Sequence, residues 1–270
     1  MYAVAVVGPG SSDLIERLVG DLSDWSSVAT ISHIPVAPAP GFEDAIGYAA
    51  EGTGVALGIG SDGWSAHGQD RSIKDALDDL APDYDYCFLD GFDDARLPTI
   101  AIQEAEHDGE TISTIKDPNN VDLSDLSEAI DATEPHETLE SLVAQVKRSS
   151  SADRSGAIAT FTGRVRAKDS PDDAPTEFLE FETYEEIAED RMAAIENDLE
   201  ERDGVHEVCM HHRTGIIENG EDIVFVVILA GHREEAFRTV EDGINRLKAN
   251  VPIFKKEVTI DEEFWVHERS

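Results

Sequence analysis

Four clusters in the second half of the sequence place basic side chains next to apolar stretches, in a chain where acidic residues far outnumber basic ones. Each cluster falls where an apolar strand ends or a helix begins or ends. Strand ends and helix entrances often carry binding sites, because rigid elements fix the side chains there while the loops stay open to substrate. The clusters are built on Arg164 with Arg166, on His211 with His212, on His232 with Arg233, and on Lys248 with Lys255.

The residue types in these clusters limit the chemistry. They hold no Ser–His pair, no reactive cysteine and no carboxylate dyad. Lysines and arginines that converge with a histidine suit an anionic substrate whose developing negative charge is stabilised during the reaction. A lysine near other cations can also have its pKa lowered towards neutrality, and can then act in proton transfer or as a nucleophile.

Each cluster also has a purely structural interpretation. Arg164 or Lys256 alone would be a solvated charge at a strand end, and His211 or His212 alone would be structural. Asn219-Gly is typical of a hairpin turn and needs no function.

The apolar pattern of the second half predicts an α+β domain that positions the clusters. An acidic helix at 137–148, capped near Thr138, precedes a strand at 156–162 that leads to Arg164. The Asp- and Pro-rich stretch 168–176 is expected to be a mobile loop. The other predicted elements are helices at 184–202 and 234–250 and strands at 205–212, 222–230 and 257–266.

The first half reads as an α/β domain with a mostly parallel sheet. An apolar strand at 3–7 leads through a glycine-rich turn into an amphipathic helix. The acidic stretch from Asp117 to His136 is expected to be a linker with one short helix, and a boundary near Thr133 gives domains 1–131 and 132–270. Further strands are predicted at 27–33, 53–59, 86–89 and 99–102, with helices at 73–80 and before residue 53.

The turn Gly8-Pro-Gly-Ser-Ser has the position of a phosphate-binding loop, because it stands between a strand and a helix N-terminus. A working loop of this kind ends in Gly-Lys-Ser/Thr. Here Ser11 stands in the lysine position and Asp13 adds a negative charge. We therefore expect a degenerate P-loop-like domain, whose loop repels a triphosphate and is kept as a tight turn.

The charge balance excludes some classes of function. With 58 Asp and Glu against 21 Lys and Arg, the formal net charge is −37, and nucleic-acid binding is not expected because it depends on basic groups. Charge of this size indicates a surface adapted to molar salt, where the Debye length is about 3 Å and the repulsion between charges is screened. We therefore hypothesise a halophilic source; the alternative is an acidic surface that evolved for a basic partner.

The cysteines and the apolar windows make further predictions. Cys87 and Cys209 each lie in an apolar strand, which predicts buried thiols and neither a disulfide framework nor a zinc site, so we expect no metal and no cofactor. No window approaches the roughly 18 apolar residues of a membrane-spanning helix. Because the N-terminus also lacks the pattern of a secretory signal, we expect no membrane association and a cytoplasmic location.

Taken in order, the clusters of the second half resemble the catalytic (large) subunit of molybdopterin synthase, the MoaE family, which builds the dithiolene of the molybdenum cofactor. The matching stretches are Gly156-Ala, Phe161-Thr-Gly-Arg-Val-Arg, Leu179-Glu-Phe-Glu-Thr-Tyr, Met192-Ala, His212-Arg-Thr-Gly, Asp222-Ile-Val-Phe-Val, Gly231-His-Arg, Ala236-Phe, Leu247-Lys and Val251-Pro-Ile-Phe-Lys-Lys-Glu.

This resemblance implies an α/β-hammerhead-type fold and a sulfurtransferase that converts cyclic pyranopterin monophosphate to molybdopterin. Two sulfurs would come from the C-terminal Gly-Gly thiocarboxylate of a small ubiquitin-like carrier (MoaD-like). A homodimer with one carrier at each end would form a heterotetramer. The family's two essential lysines fall on Lys248 and Lys255. Its substrate-binding positions fall on Arg164, Val165, Arg166, His232, Arg233, Lys256 and Glu257.

The first half resembles the MobB-type accessory proteins of molybdopterin-guanine dinucleotide biosynthesis. The matching stretches are Gly8–Leu14, Asp44-Ala-Ile-Gly-Tyr-Ala-Ala-Glu-Gly, and Asp85-Tyr-Cys-Phe-Leu-Asp-Gly-Phe with Leu97-Pro. In that family a strand-end acid lies near the nucleotide, and Asp90 holds its place here. Because the loop lysine is absent, the resemblance implies the fold and not the activity.

Two other functions stay open on the sequence. One is a non-catalytic adaptor for ubiquitin-like proteins with a nucleotide-sensing first domain; nucleotide binding by residues 1–131 would support it, while Lys248 and Lys255 argue against it. The other is a bifunctional enzyme whose first half channels molybdopterin towards nucleotide attachment. The missing loop lysine argues against this second alternative.

Overall fold

In a computed structural model the chain divides into two compact units, Met1–His136 and Glu137–Ser270. The structure describes residues 1–33, 55–61, 63–68, 71–168, 170–171, 174–183, 185–259 and 263–266. The helix expected before residue 53 and the stretch 44–52 lie outside these residues, as does part of the loop expected at 168–176.

The first unit is built on a five-stranded parallel sheet. Its elements in chain order are β1 (Tyr2–Val7), α1 (Ser11–Leu22), β2 (Val28–Ser32), β3 (Val55–Ile59), β4 (Trp64–Gly68), α2 (Ile73–Leu80), β5 (Tyr86–Asp90), β6 (Thr99–Ile102), β7 (Thr111–Ile115) and α3 (Leu123–Asp131). The strand order is β2-β5-β1-β6-β7, and every neighbouring pair is parallel. This confirms the predicted α/β class.

Helices cover both faces of this sheet. Leu14 and Leu18 of α1 and Ile130 of α3 are fully buried on one face, and Leu77 of α2 is buried on the other. The short helix predicted in the linker is present as α3, but it belongs to the first unit, because its apolar residues complete the core there. A short apolar pattern between prolines does not show whether a helix will pack on a sheet or stand between domains.

The strand predicted at 53–59 is present as β3, but it does not join the parallel sheet. It pairs antiparallel with β4, which the sequence had not predicted, in a separate two-stranded ribbon. Leu57, Ile59 and Trp64 are exposed on this ribbon. Alternation of apolar residues predicts a strand, yet it does not specify which strand will be the partner.

The second unit is α+β, as predicted. Its elements in chain order are α4 (Leu139–Lys147), a 3₁₀ turn (Ala152–Arg154), β8 (Ala157–Arg164), β9 (Thr176–Thr183), α5 (Glu185–Glu200), β10 (Val205–His212), β11 (Gly215–Glu218), β12 (Asp222–Ala230), α6 (Arg233–Asn250), β13 (Ile253–Thr259) and β14 (Glu263–Val266). They form two antiparallel sheets, β10-β12-β8 and β11-β9-β13-β14.

The three-stranded sheet holds the core of the second unit. Its central strand β12 is buried along nearly its whole length, because α4 covers one face and α5 and α6 cover the other. The helix α4 starts with a capping box, in which the Thr138 hydroxyl accepts the Ser141 N–H and the Ser141 side chain accepts the Thr138 N–H. This confirms the predicted cap.

Two details of the second unit differ from the predictions. The strand predicted at 257–266 is two strands, since β13 and β14 pair antiparallel with each other. Asn219-Gly is a turn, with Gly220 at φ 92°, but it joins β11 in one sheet to β12 in the other and is not a β-hairpin. The placing of β11 and β12 in different sheets follows from pairing with β9 and β8, which are distant in the chain.

Candidate functional site

The basic clusters of the second unit lie at opposite ends of the three-stranded sheet. In the β8–β12 pair, Arg164 stands opposite Asp222 and Ala157 stands opposite Ala230. The eight residue steps from Asp222 to Ala230 span about 27 Å at the usual strand rise. Arg164 therefore lies at one end of the sheet, and the His232 cluster, which follows Ala230, lies at the other.

Helix α6 runs back along this sheet and carries Lys248 to the Arg164 end. Its 18 residues span about 27 Å at the helical rise, which matches β12. At mid-helix, Gly243 faces the middle of the sheet, because a Cβ there would come within 3.2 Å of Val226 Cγ1 and 2.9 Å of Met210 Cε. Lys248 lies in the last turn of α6 and is therefore far from His232, which precedes the first turn.

Lys255, Lys256 and Glu257 are consecutive on β13, so their side chains alternate between the two faces of the four-stranded sheet. Lys255 is opposite the buried Phe181 and lies 4.0 Å from Glu257 on the same face. Lys256 is on the other face, 3.5 Å from Glu180. The two adjacent lysines therefore face different surroundings.

The end of β8 lies close to the start of β13. Val165 is 2% exposed and shares a hydrophobic cluster with Ile253, two residues before Lys255. Arg164 and Arg166, on either side of Val165, are exposed. Lys248, Lys255 and the two arginines thus form one basic end of the unit, in which Val165 supplies packing and its backbone N–H donates to the Glu221 carbonyl.

The Arg164 side chain forms polar contacts with its neighbours and remains accessible to solvent. Its Nη2 donates to the Gly220 carbonyl at 2.6 Å, and its Nε lies 3.7 Å from Asp222. The side chain stays 64% exposed. This geometry fixes the guanidinium at the strand end and leaves donor groups open to an anion.

At the opposite end, His232 and Arg233 line an open depression of about 530 Å³, together with Gly156, Gly231 and the first turn of α6. His232 is the N-cap residue and makes no side-chain capping bond. The free N–H groups at this helix start favour an anion. Gly156 permits the close packing here, because a Cβ would come within 2.8 Å of the Gly231 carbonyl oxygen.

Glu235 completes the wall of this depression. Its Oε2 is buried and accepts no hydrogen bond from any residue that the structure describes. The sequence analysis did not single out this residue. An unsatisfied buried acceptor beside basic side chains suits a ligand that brings an N–H donor along with its anionic group.

The cluster at His211 is structural. Burial lowers the pKa of His212 to about 4, while a bond from Nδ1 to the Arg213 carbonyl at 2.8 Å opposes that shift, so His212 is neutral at pH 7. Its ring packs edge-on against Phe181. Arg213 donates to the Glu137 carbonyl at 2.9 Å and lies over the Phe225 ring. These contacts tie the start of α4 to the sheet.

In the first unit, the loop that resembles a phosphate loop faces a carboxylate of the same chain. Ser11 and Ser12 at the start of α1 each donate to Asp90, both at 2.6 Å. Gly8 and Gly10 adopt φ 116° and 86°, so the tight turn needs glycine at both positions. The two hydroxyls at this helix start are therefore bound to the acid at the end of β5.

Both cysteines of the chain are buried. Burial raises the pKa of Cys87 and of Cys209 to about 12, so neither is a nucleophile at neutral pH. Within the described residues, no group of three or more His, Cys, Asp or Glu side chains could hold a metal ion. The described helices also include none long and apolar enough to cross a membrane.

Fold and geometry together define a protein with an α/β unit followed by an α+β unit, which carries exposed basic clusters at strand and helix ends that suit an anionic substrate. The MoaE protein family matches residues 132–250. A probable molybdopterin synthase from Haloferax volcanii is 49% identical over 270 residues, which is all of both chains. The chain belongs to the molybdopterin synthase family, and so to the enzymes of molybdenum cofactor biosynthesis. The Haloferax relative agrees with the salt-adapted surface predicted from composition.

Other known proteins match one half of the chain. The molybdopterin synthase catalytic subunit of Pyrococcus abyssi is 36% identical over 128 residues, which cover 47% of this chain and 82% of that protein. The crystal structure of Bacillus subtilis MobB covers 49% of this chain and 100% of that chain, at 18% identity and a TM-score of 0.36.

Proposed function

We propose that the chain is the catalytic subunit of a molybdopterin synthase and acts as a sulfurtransferase in the cytoplasm. It converts cyclic pyranopterin monophosphate to molybdopterin with sulfur from the thiocarboxylated C-terminus of a small ubiquitin-like carrier. The observation that carries this proposal is the full-length similarity to a probable molybdopterin synthase, in a chain that keeps Lys248 and Lys255 at one basic end.

The chemistry matches what this site offers. The carrier's thiocarboxylate sulfur forms a bond to a side-chain carbon of the substrate, as the carbon–oxygen bond at that carbon breaks and the oxygen leaves with phosphate or as water. Water then attacks the acyl carbon. The acyl carbon–sulfur bond breaks, the carrier leaves as a carboxylate, and the sulfur stays on the substrate. A second carrier repeats the transfer. The enzyme needs positive charge to stabilise anionic intermediates and a group that moves protons, and we assign these roles to Lys248 and Lys255.

The separation of the clusters implies a site shared between two chains. We assign substrate binding to Arg164, Arg166, Lys256 and Glu257 at one end, and to His232 and Arg233 at the other. In one chain the two ends of β12 are about 27 Å apart, too far for a single small substrate to contact both. We therefore propose a homodimer, in which the His232 end of one chain meets the lysine end of the other. One carrier at each lysine end gives a heterotetramer.

Mixing two inactive variants tests this arrangement. Lys255→Ala and Arg233→Ala should each lower the rate by about 10²–10³-fold, the usual effect of removing a charge-stabilising group. Dimers that contain one chain of each variant have one intact site, so a random mixture recovers about a quarter of the wild-type activity. Activity is measured as the fluorescence of oxidised molybdopterin, from purified chain, thiocarboxylated carrier and substrate in molar KCl.

The matched control is a mixture of Lys248→Ala and Lys255→Ala. Both changes fall at the same end of the unit, so every site in a mixed dimer carries one of them and activity stays lost. Recovery in neither mixture would contradict the shared site. A wild-type chain that binds the carrier and yields no molybdopterin would contradict the synthase function and favour the adaptor.

A further inference from the structure

The Glu235 side chain forms part of the depression that His232 and Arg233 also line. Its Oε2 is buried and accepts no hydrogen bond within the part of the chain that the structure describes, although the residue as a whole is partly exposed. A buried carboxylate oxygen without a donor costs free energy, because it has lost water and gained no partner. Such an atom in the wall of an open depression indicates a contact that a ligand completes.

The position of Glu235 in α6 has an ordinary structural explanation, which the contacts do not support. Glu235 is the third residue of the helix, where a glutamate often accepts the N–H of the N-cap residue. His232 is the N-cap here, but the buried Oε2 of Glu235 accepts no bond from it. The neighbouring Glu234 lies in the same turn and is exposed, so a favourable interaction with the helix dipole does not require burial.

Gly204 explains how the Glu235 side chain is held. Its φ is 84°, and a Cβ there would come within 3.1 Å of Glu235 Cγ and 3.6 Å of Cδ. The glutamate therefore packs directly against this backbone turn, which the Gly231 N–H fixes by donating to the Gly204 carbonyl at 2.8 Å. A carboxylate that is already held in place loses little conformational freedom when a ligand binds.

We propose that Glu235 selects the heterocycle of the substrate, by accepting the two adjacent N–H groups of a 2-amino-4-oxopyrimidine ring, while His232 and Arg233 bind the anionic group. Two parallel N–H donors match the two oxygens of one carboxylate. The depression of about 530 Å³ has the size of a small-molecule site. This assignment rests on the function proposed above, in which the substrate is a pterin phosphate.

Binding of two fluorescent probes tests the selection without turnover. Pterin-6-carboxylate has the 2-amino group, whereas lumazine-6-carboxylate has a 2-oxo group in its place. We expect the wild-type chain to bind the pterin about 10–100-fold more tightly, because the 2-oxo group places an acceptor against the carboxylate. In Glu235→Gln the amide offers one acceptor and one donor, which suits the 2-oxo edge, so the preference for the pterin should fall by at least about tenfold.

Glu234→Gln is the matched control, because it removes the same charge from the same turn at an exposed position. It should keep the wild-type preference, and far-UV circular dichroism confirms that both variants are folded. A wild-type chain that binds neither probe or does not discriminate between them would overturn the proposal. So would an equal loss of affinity for both probes in Glu235→Gln, which would assign the carboxylate to packing or to contact with a partner chain.

Steady-state molybdopterin formation separates the role of Glu235 from the proposed function. Glu235→Gln should raise the KM for cyclic pyranopterin monophosphate by about 10–100-fold with little change in kcat, because a binding contact is lost and the lysines are intact. An active wild type whose KM is unchanged in Glu235→Gln would overturn the role of Glu235 and leave the function intact. A wild type that selects the pterin probe and forms no molybdopterin would contradict the synthase function and leave the selection by Glu235 intact.

Discussion

Glu196 has an unusual environment for a carboxylate. Burial raises its pKa from the ordinary value of 4.5 to about 7; the bond from the Met210 N–H opposes that shift, and the nearby Glu200 adds to it. Because the folded pKa is above the unfolded one, folding favours the protonated form. The stabilisation is complete below about pH 4.5 and is lost as the pH rises to about 7.

Glu196→Gln should therefore stabilise the protein at pH 8 and have little effect at pH 4.5. The glutamine oxygen still accepts the Met210 N–H, and no buried charge is formed. We expect a gain of about 1–2 kcal/mol at pH 8, after allowance for solvent screening, read as a higher melting temperature. Glu189→Gln, on the exposed side of the same helix, is the control. An equal effect of Glu196→Gln at both pH values would show that the pKa of Glu196 is not raised.

At the scale of secondary structure, the predicted bounds of helices and strands agree with the structure where the hydrophobic pattern is local. The bounds of α2, β10 and β12 agree with the predictions, because each is a continuous apolar or amphipathic stretch. The strand β9 was missed, since Phe178 and Leu179 are adjacent and interrupt the alternation that marks a half-buried strand.

The positions of the basic residues on strands and helices were predicted in part for the same reason. The sequence correctly placed basic residues at strand ends and helix ends, because these positions follow from local patterns. It could not show that Arg164 and His232 lie at opposite ends of one sheet, since that follows from the antiparallel register of β8 on β12. The sequence also did not show that Lys255 and Lys256 point to opposite faces of a sheet, because the strand there was predicted to begin only after them.

The helix α3 offers a test of the first unit's core. Ile130 is fully buried against the parallel sheet, so Ile130→Ala should destabilise this unit by about 2–5 kcal/mol. Urea unfolding followed by circular dichroism measures the change. Glu128→Ala, exposed on the same helix, should cost less than about 0.5 kcal/mol. A small effect of Ile130→Ala would return α3 to the role of a linker.

At the scale of the whole molecule, a net charge of −37 opposes compaction of the chain. Raising the salt from 0.1 to 1 M shortens the Debye length from about 10 Å to about 3 Å. We expect the melting temperature, measured by calorimetry, to rise steeply over this range of KCl concentration. Sucrose at matched osmolality, which does not screen charge, is the control. A melt that does not change with KCl would favour an acidic surface that evolved for a basic partner.

The burial of both cysteines has a consequence for how sulfur moves through such a protein. A thiolate near the site would attack the acyl carbon of a thiocarboxylate, form a thioester to the enzyme and release the sulfur as hydrosulfide. With the pKa of Cys87 and Cys209 raised to about 12, the chain presents no nucleophilic sulfur of its own at neutral pH. Sulfur can then pass from donor to acceptor without first binding to a cysteine of the chain, and no sulfur stays on the chain between turnovers.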